Sequence, residues 1–425
     1  MRSLPPPSSL LFLILSTQAT ATTLFPPRPF LNPHPFVPTD FHLTHPPRDP
    51  NRLCIVPGAT SSNTSTFINT TITDSAPAIL SAFQTCSPNG TILLNATYTI
   101  ASPLDLTFLA HVDVVLTGEV RFVGPVYDWA EKSFKYAFQN QSVFWKWGGE
   151  DVFVYGDAEA GNHRSGGLID GNGQGWWEEN VRNKSLLRPM LFSFDGVKGA
   201  TMANLRMKNP PNWFNIIANS SDVLISNMDL RAEVHCVSFK PNSTNVVVQN
   251  LTCIGSHGIS VGSLGQYANE TDIVENLYIY NVSLTNSSDG ARIKVWPGIQ
   301  TSFQTLLNGG GGLGRVRNVT YDLFRNVNND RAITITQCYG QKNQTLCAEH
   351  PANLTIEDIT IKNMYGSVSK KLDPQAGSLV CSAADRCDNI RVENITVRVP
   401  SGKPPVYECK NIDRSLLQIN CTAET

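Results

Sequence analysis

The sequence predicts an all-β protein: a single-stranded right-handed parallel β-helix, closed at its N-terminal end by one α-helix. Three observations predict it. Short runs with apolar side chains at alternate positions recur along the chain, Asn or Asp stands at the turn of each, and their period falls in the 20–50-residue range of solenoid repeats. The clearest runs are Asn245–Leu251, Asn276–Val282, Asn353–Ile359 and Asn389–Ile395, whose starts lie 31, 77 and 36 residues apart. A poorer copy near Asn318 divides the 77 into 42 and 35. Coils of this kind bury their apolar faces against one another, so one elongated domain absorbs a length of 425 residues that would otherwise suggest two or three.

Composition agrees with a globular chain that carries a polar but mostly uncharged surface. It is 41% hydrophobic and only 16% charged, which excludes a disordered or coiled-coil protein. The 33 Lys and Arg against 35 Asp and Glu leave a net charge of −2, so no global field marks a nucleic-acid or membrane-surface partner. A charged ligand must therefore be held by a local cluster.

The elements follow in chain order. Arg2, the apolar run Leu10–Leu15 and Ala19-Thr20-Ala21 read as a signal peptide over residues 1–21, too short to anchor in a membrane, and a secreted extracellular protein is expected. Residues 22–52 form a Pro-rich leader, read as an extended or disordered arm whose His34, His42 and His45 are solvated. The β-helix domain occupies 53–425. Asp74-Ser75 and Pro77 before Ile79, Leu80 and Phe83 give the capping helix its start and its buried face.

Ten cysteines fall as neighbours, Cys54/Cys86, Cys236/Cys253, Cys338/Cys347, Cys381/Cys387 and Cys409/Cys421. In an oxidising compartment an even count argues for disulfides, and a fold of consecutive coils allows local pairing. No C-x-x-C occurs and the histidines are scattered, so no metal and no cofactor is expected. About seventeen Asn-x-Ser/Thr acceptors, among them Asn63, Asn95, Asn219, Asn242, Asn269, Asn318 and Asn394, mark glycosylation, although an Asn- and Thr-rich β-protein also makes such triplets by chance.

Two constellations can carry chemistry. In Gly255-Ser-His257-Gly-Ile-Ser-Val-Gly262 the flanking glycines let His257 sit on an exposed shelf, while a His between glycines is by itself commonly a turn residue. In Gly290-Ala-Arg292-Ile-Lys294-Val-Trp296, strand alternation puts Arg292 and Lys294 on one side and Ile293 and Val295 in the core. Two cations on one face suit a carboxylate; the alternative is a solvated strand face. Gly309–Gly314 formally contains G-x-G-x-x-G, but no helix pattern follows, so it reads as a loop. Trp176, Trp177 and Tyr339 are candidates to stack on sugar rings or to sit in the core.

The runs Asn209–Ile225, Cys236–Thr244, the Gly-Ser-His-Gly and Arg-Ile-Lys blocks and Gln337-Cys-Tyr-Gly340 occur in an order that closely resembles the polygalacturonase family of glycoside hydrolases, and within it the fungal exopolygalacturonases. The resemblance spans about Leu53 to Cys421. It implies a monomeric enzyme that hydrolyses α-1,4 bonds of pectic galacturonan from the non-reducing end with inversion. By position His257 supports the catalytic acids, Arg292 and Lys294 bind galacturonate carboxylates, and Tyr339 belongs to the same cleft.

One departure outweighs the matches. The family carries an Asn-Thr-Asp block and, about twenty residues later, an Asp-Asp pair directly before the equivalent of Cys236, which an inverting hydrolase needs as acid and base. Here Asn227-Met-Asp-Leu-Arg-Ala-Glu-Val-His235 precedes Cys236, and neither motif is present. About one coil is expected to be absent between roughly Leu230 and Cys236, through a genuine variant, a splice product or a shifted exon boundary. Asp229 and Glu233 are the nearby substitutes. Three functions therefore compete: a pectic glycosidase, a non-catalytic pectin binder, and a β-helical eliminase, for which an acidic calcium cluster is not found near Arg292.

Overall fold

The computed structural model describes residues 25–34, 38, 40–58, 64–67, 70–136, 138–157, 167–232, 236–304 and 307–422. The signal peptide and Asn63 lie outside these. Among the described residues twenty-three strands form one continuous, parallel hydrogen-bonded system that winds through three faces per coil. Val152, Ala200, Val223, Val246, Leu277, Val319, Ile359 and Ile390 occupy one register position on successive coils, and all are buried. The solenoid reading therefore holds. One period was misplaced: Val319 pairs with Ile359, so the fourth copy begins at Asp358 rather than at Asn353. The strand Asn353–Val368 simply continues upstream across a wider face, and its Asn353 is an early residue of that strand rather than its turn.

Between two of the faces the chain turns on a single residue of positive φ, which asparagine tolerates better than bulkier residues. Asn204, Asn227, Asn250 and Asn281 all have φ near +55°. Each donates its Nδ2 to the Oδ1 of the one before, at 3.0, 3.0 and 2.8 Å. This ladder runs unbroken through the coil that ends at Cys236. Leu230, Val237 and Val246 there are fully buried.

The capping helix forms at Ala76–Cys86. Asp74 Oδ1 accepts from the Ala76 and Ala101 amides, and Phe83 meets Trp147 edge-on at 5.5 Å, sealing the first coils. All five predicted cysteine pairs are disulfides. Trp176 and Trp177 lie on a helix, Gln174–Arg182, where Trp176 is core and Trp177 Nε1 donates to the Pro210 carbonyl. The glycine loop leads into the strand Leu313–Asn329, as a non-nucleotide loop should.

The Pro-rich leader departs from expectation. Its described residues strap the outside of the coils. Arg48 donates to Asp113 and Asp151, Arg28 to Asp113, and His45 joins Asp151 at 2.6 Å and Thr201 at 2.7 Å. His34 stacks on Tyr278 and packs tilted against Tyr280, whereas the side chain of His42, held through its amide to Asp222, is exposed as expected. Proline content removed amide donors that a strand would need; the side chains found partners on the solenoid instead.

Candidate functional site

On one face the strands Val237–Phe239, Ile259–Leu264, Asp289–Val295 and Arg331–Thr336 stack in order. Their register sets Ser238, Ser260, Arg292 and Thr334 in one column. Lys240 follows Phe239 and so enters the next outward column, with Gly262, Lys294 and Thr336. Period-2 alternation therefore aims Arg292, Lys294 and Lys240 away from the core while Ile293 and Val295 fill it.

These cations are not solvated. Lys294 is 4% and Lys240 1% exposed. Burial first, and then the charges of Arg292 and Lys240, hold the pKa of Lys294 well below the ordinary lysine range, against the pull of Asp289. Lys240 is displaced the same way by burial and by Arg292, against the pull of Asp272. Its ammonium donates to Gln139 Oε1 and the Gly262 carbonyl, both at 2.7 Å, and sits 4.2 Å above the Trp213 ring. Lys294 lies 5.2 Å above Tyr339, whose ring meets Trp296 edge-on.

His257 is exposed, yet protein atoms crowd around it. That crowding, reinforced by Arg292, Lys294 and Arg188, lowers its pKa to about 4, with Asp289 opposing. Asp289 is engaged: Arg292 pairs with it at 3.1 Å, Thr334 donates at 2.6 Å and Ser288 at 2.7 Å. The structure thus brings His257, Arg292, Lys294 and Tyr339 together in one cluster, with a surplus of positive charge suited to an anion.

It does not bring Asp229 there. Asp229 stands in register with Arg206 and Thr252 on a different face, bonded by Arg231 through both oxygens at 3.0 Å. Glu233 lies outside the described residues. Sequence reading missed Lys240, although its place two residues after Ser238 was a usable signal. It also missed Arg188 and Gln139, which reach the cluster only through the tertiary path of their loops.

Residues 104–235 and 214–421 match the profile of glycosyl hydrolases family 28. The chain belongs to that family. The two family 28 matches overlap at 214–235, the segment just before Cys236. The chain is 47% identical over 385 residues to the exopolygalacturonase A of Aspergillus niger, covering 82% of this chain and 86% of that one. It is 42% identical over 443 residues to the exopolygalacturonase of Cochliobolus carbonum, at 96% and 93% coverage. These relatives place it among pectin-degrading glycosidases. In each case the aligned stretch is longer than the part of this chain that it occupies, so both relatives contain positions with no counterpart here. Among solved structures it resembles the endo-xylogalacturonan hydrolase of Aspergillus tubingensis, with a TM-score of 0.68, 28% identity, and 88% and 99% coverage.

Proposed function

We propose that this chain is a secreted member of the exopolygalacturonase group that recognises the terminal galacturonate of pectic galacturonan through Arg292, Lys294 and Tyr339, and hydrolyses it at or near background. The observation that carries the reading is the charge balance of the cluster. Five basic side chains converge there, and Asp289, a carboxylate that opposes their effect on His257, is already committed to Arg292, Thr334 and Ser288. Inverting hydrolysis requires one carboxyl group to protonate the leaving oxygen and another to activate water on the opposite face. An aspartate so paired is poorly placed to act as the acid or the base. The overlap of the family matches at 214–235 supports the same reading, because that segment serves both as the end of one match and as the start of the next.

Uronate recognition needs only the cations. A galacturonate carboxylate entering beside Lys294 would supply the counter-charge that the cluster lacks, and the sugar face would rest near Tyr339. The test is reducing-sugar release from polygalacturonate, together with calorimetric binding of trigalacturonate, by the purified chain lacking its leader. Binding without turnover supports the reading. Turnover in the ordinary enzyme range of about 1–10³ s⁻¹ would overturn it.

A further inference from the structure

A cavity of about 520 Å³ is lined in part by Gln139, whose side chain also reaches the cation cluster at Lys240. Gln139 is buried, its backbone amide donates to Tyr267 Oη at 2.8 Å, and its side chain bridges Lys240 and Ser263. The charge of Lys240 is thereby spent on Gln139 Oε1 and hidden from the cavity. Among the described residues the cavity wall holds no Lys, Arg or His.

What the wall does offer is of a different chemistry. Phe138 and Tyr267 provide aromatic surface. Glu270 and Asp272 provide acceptors, and burial pushes the Asp272 carboxyl above its ordinary pKa while the Gly265 amide donates to it at 2.7 Å. Gln266 is 5% exposed; its Nε2 donates to the Asn308 carbonyl, and among the described residues nothing donates to its Oε1. The bond to Asn308 holds the Gln266 side chain fixed in the wall.

We infer that this cavity is a second carbohydrate site, taking a neutral pentose or hexose. Aromatic surface suits the C–H face of a sugar ring, carboxylates and amides suit its hydroxyls, and the two carboxylates repel a uronate. The volume admits one or two neutral rings, and the shared Gln139 would place a neutral residue near a uronate held at Lys294. The site stands on its own lining and does not depend on the assignment at Lys294.

The experiment separates the two. Methyl β-D-xylopyranoside, methyl β-D-galactopyranoside and D-galacturonate are titrated into the full secreted protein, read by saturation-transfer NMR and calorimetry. The neutral glycosides should bind, their affinity should survive Lys294→Met, and it should fall about tenfold or more in Phe138→Ala and in Glu270→Gln, the loss expected for one ring contact or one charge-assisted hydrogen bond. Glu270 is exposed, so its variant folds even where Phe138→Ala does not. Absence of neutral-glycoside binding, its loss in Lys294→Met, or its indifference to Glu270→Gln overturns the inference. Loss of galacturonate binding alone in Lys294→Met leaves it standing.

Discussion

Two regions built on the same coils behave differently at Cys236. Along the asparagine ladder, Asn204, Asn227, Asn250 and Asn281 pass hydrogen bonds from coil to coil with no gap. On the cleft face, Lys240, Arg292 and Lys294 crowd together with Asp289, a carboxylate that acts on His257. The ladder is made of interchangeable units, so any whole coil can be removed and the next one takes its place. The cleft is made of unique units, one copy of each, and a coil that carried an acid or a base has no understudy. A solenoid can thus lose a coil from its chemistry without losing it from its fold.

The largest expected effect comes from supplying the cleft with carboxylates. Insertion between Asp229 and Cys236 of a family coil carrying Asn-Thr-Asp and Asp-Asp should raise hydrolysis of polygalacturonate by roughly 10³-fold or more, because acid and base act as one unit. Transcript sequencing across this junction is the companion measurement, and an extra coil there would make the longer product the active one. A chain that is already fast without the insertion would erase the contrast between ladder and cleft.

The next effect belongs to the intact region. Burial opposes the ionised form of Asp151, but hydrogen bonds from Arg48, His45 and His111 overcome it and hold the carboxyl well below its usual range. Asp151→Ala should therefore cost about 3–5 kcal/mol in denaturant unfolding, the range for breaking a buried ion pair. Oligogalacturonate affinity should stay unchanged, since this strap lies on another face.

How legible each region was follows from the range of its determinants. The β-helix, the capping helix and the disulfides are written in local patterns: alternation, turn asparagines, neighbouring cysteines. Arg292 and Lys294 were readable for the same reason, because i and i+2 share a face. The strap was misread because prolines and scattered histidines carry no signal of the solenoid residues that receive them; Arg48 meets Asp151 across 103 positions. Gln139 reaches Lys240 across 101 and left no local trace. The copy at Asn353 was shifted because a longer strand hides where its turn falls.

Within the cleft, Lys294→Met should weaken trigalacturonate binding by roughly 1.5–3 kcal/mol, the loss of a charge-assisted contact. Stability should hold or rise, because a buried and partly neutralised lysine is costly and methionine fills a similar volume. Equal affinity at low salt would remove the subsite. On the ladder side, Asn250→Ala removes the bond to Asn227 Oδ1 and the acceptor for Asn281, and leaves alanine at φ +57°. A loss of about 1–2 kcal/mol is expected by chemical denaturation, with binding untouched.

The smallest effect ties the cleft to the stability of the whole. His257 has a folded-state pKa of about 4, displaced downward by the protein atoms around it and by Arg292, Lys294 and Arg188. Its unfolded value lies near 6.5. Between those two pH values the unfolded chain takes up a proton that the folded chain refuses, so stability must fall as pH drops through this window and level off below it. Solvent at the exposed residue screens the interaction and keeps the slope shallow. His257→Gln should flatten that part of the unfolding free energy measured against pH, and Lys294→Met should flatten it in part by removing one of the cations. Insertion of a carboxylate-bearing coil should act in the same sense, raising the pKa of His257 toward its ordinary value and confining the slope to higher pH. A pH profile identical in all three variants would mean that His257 does not feel the cation cluster, and the cleft would then lose the charge surplus on which its contrast with the ladder rests.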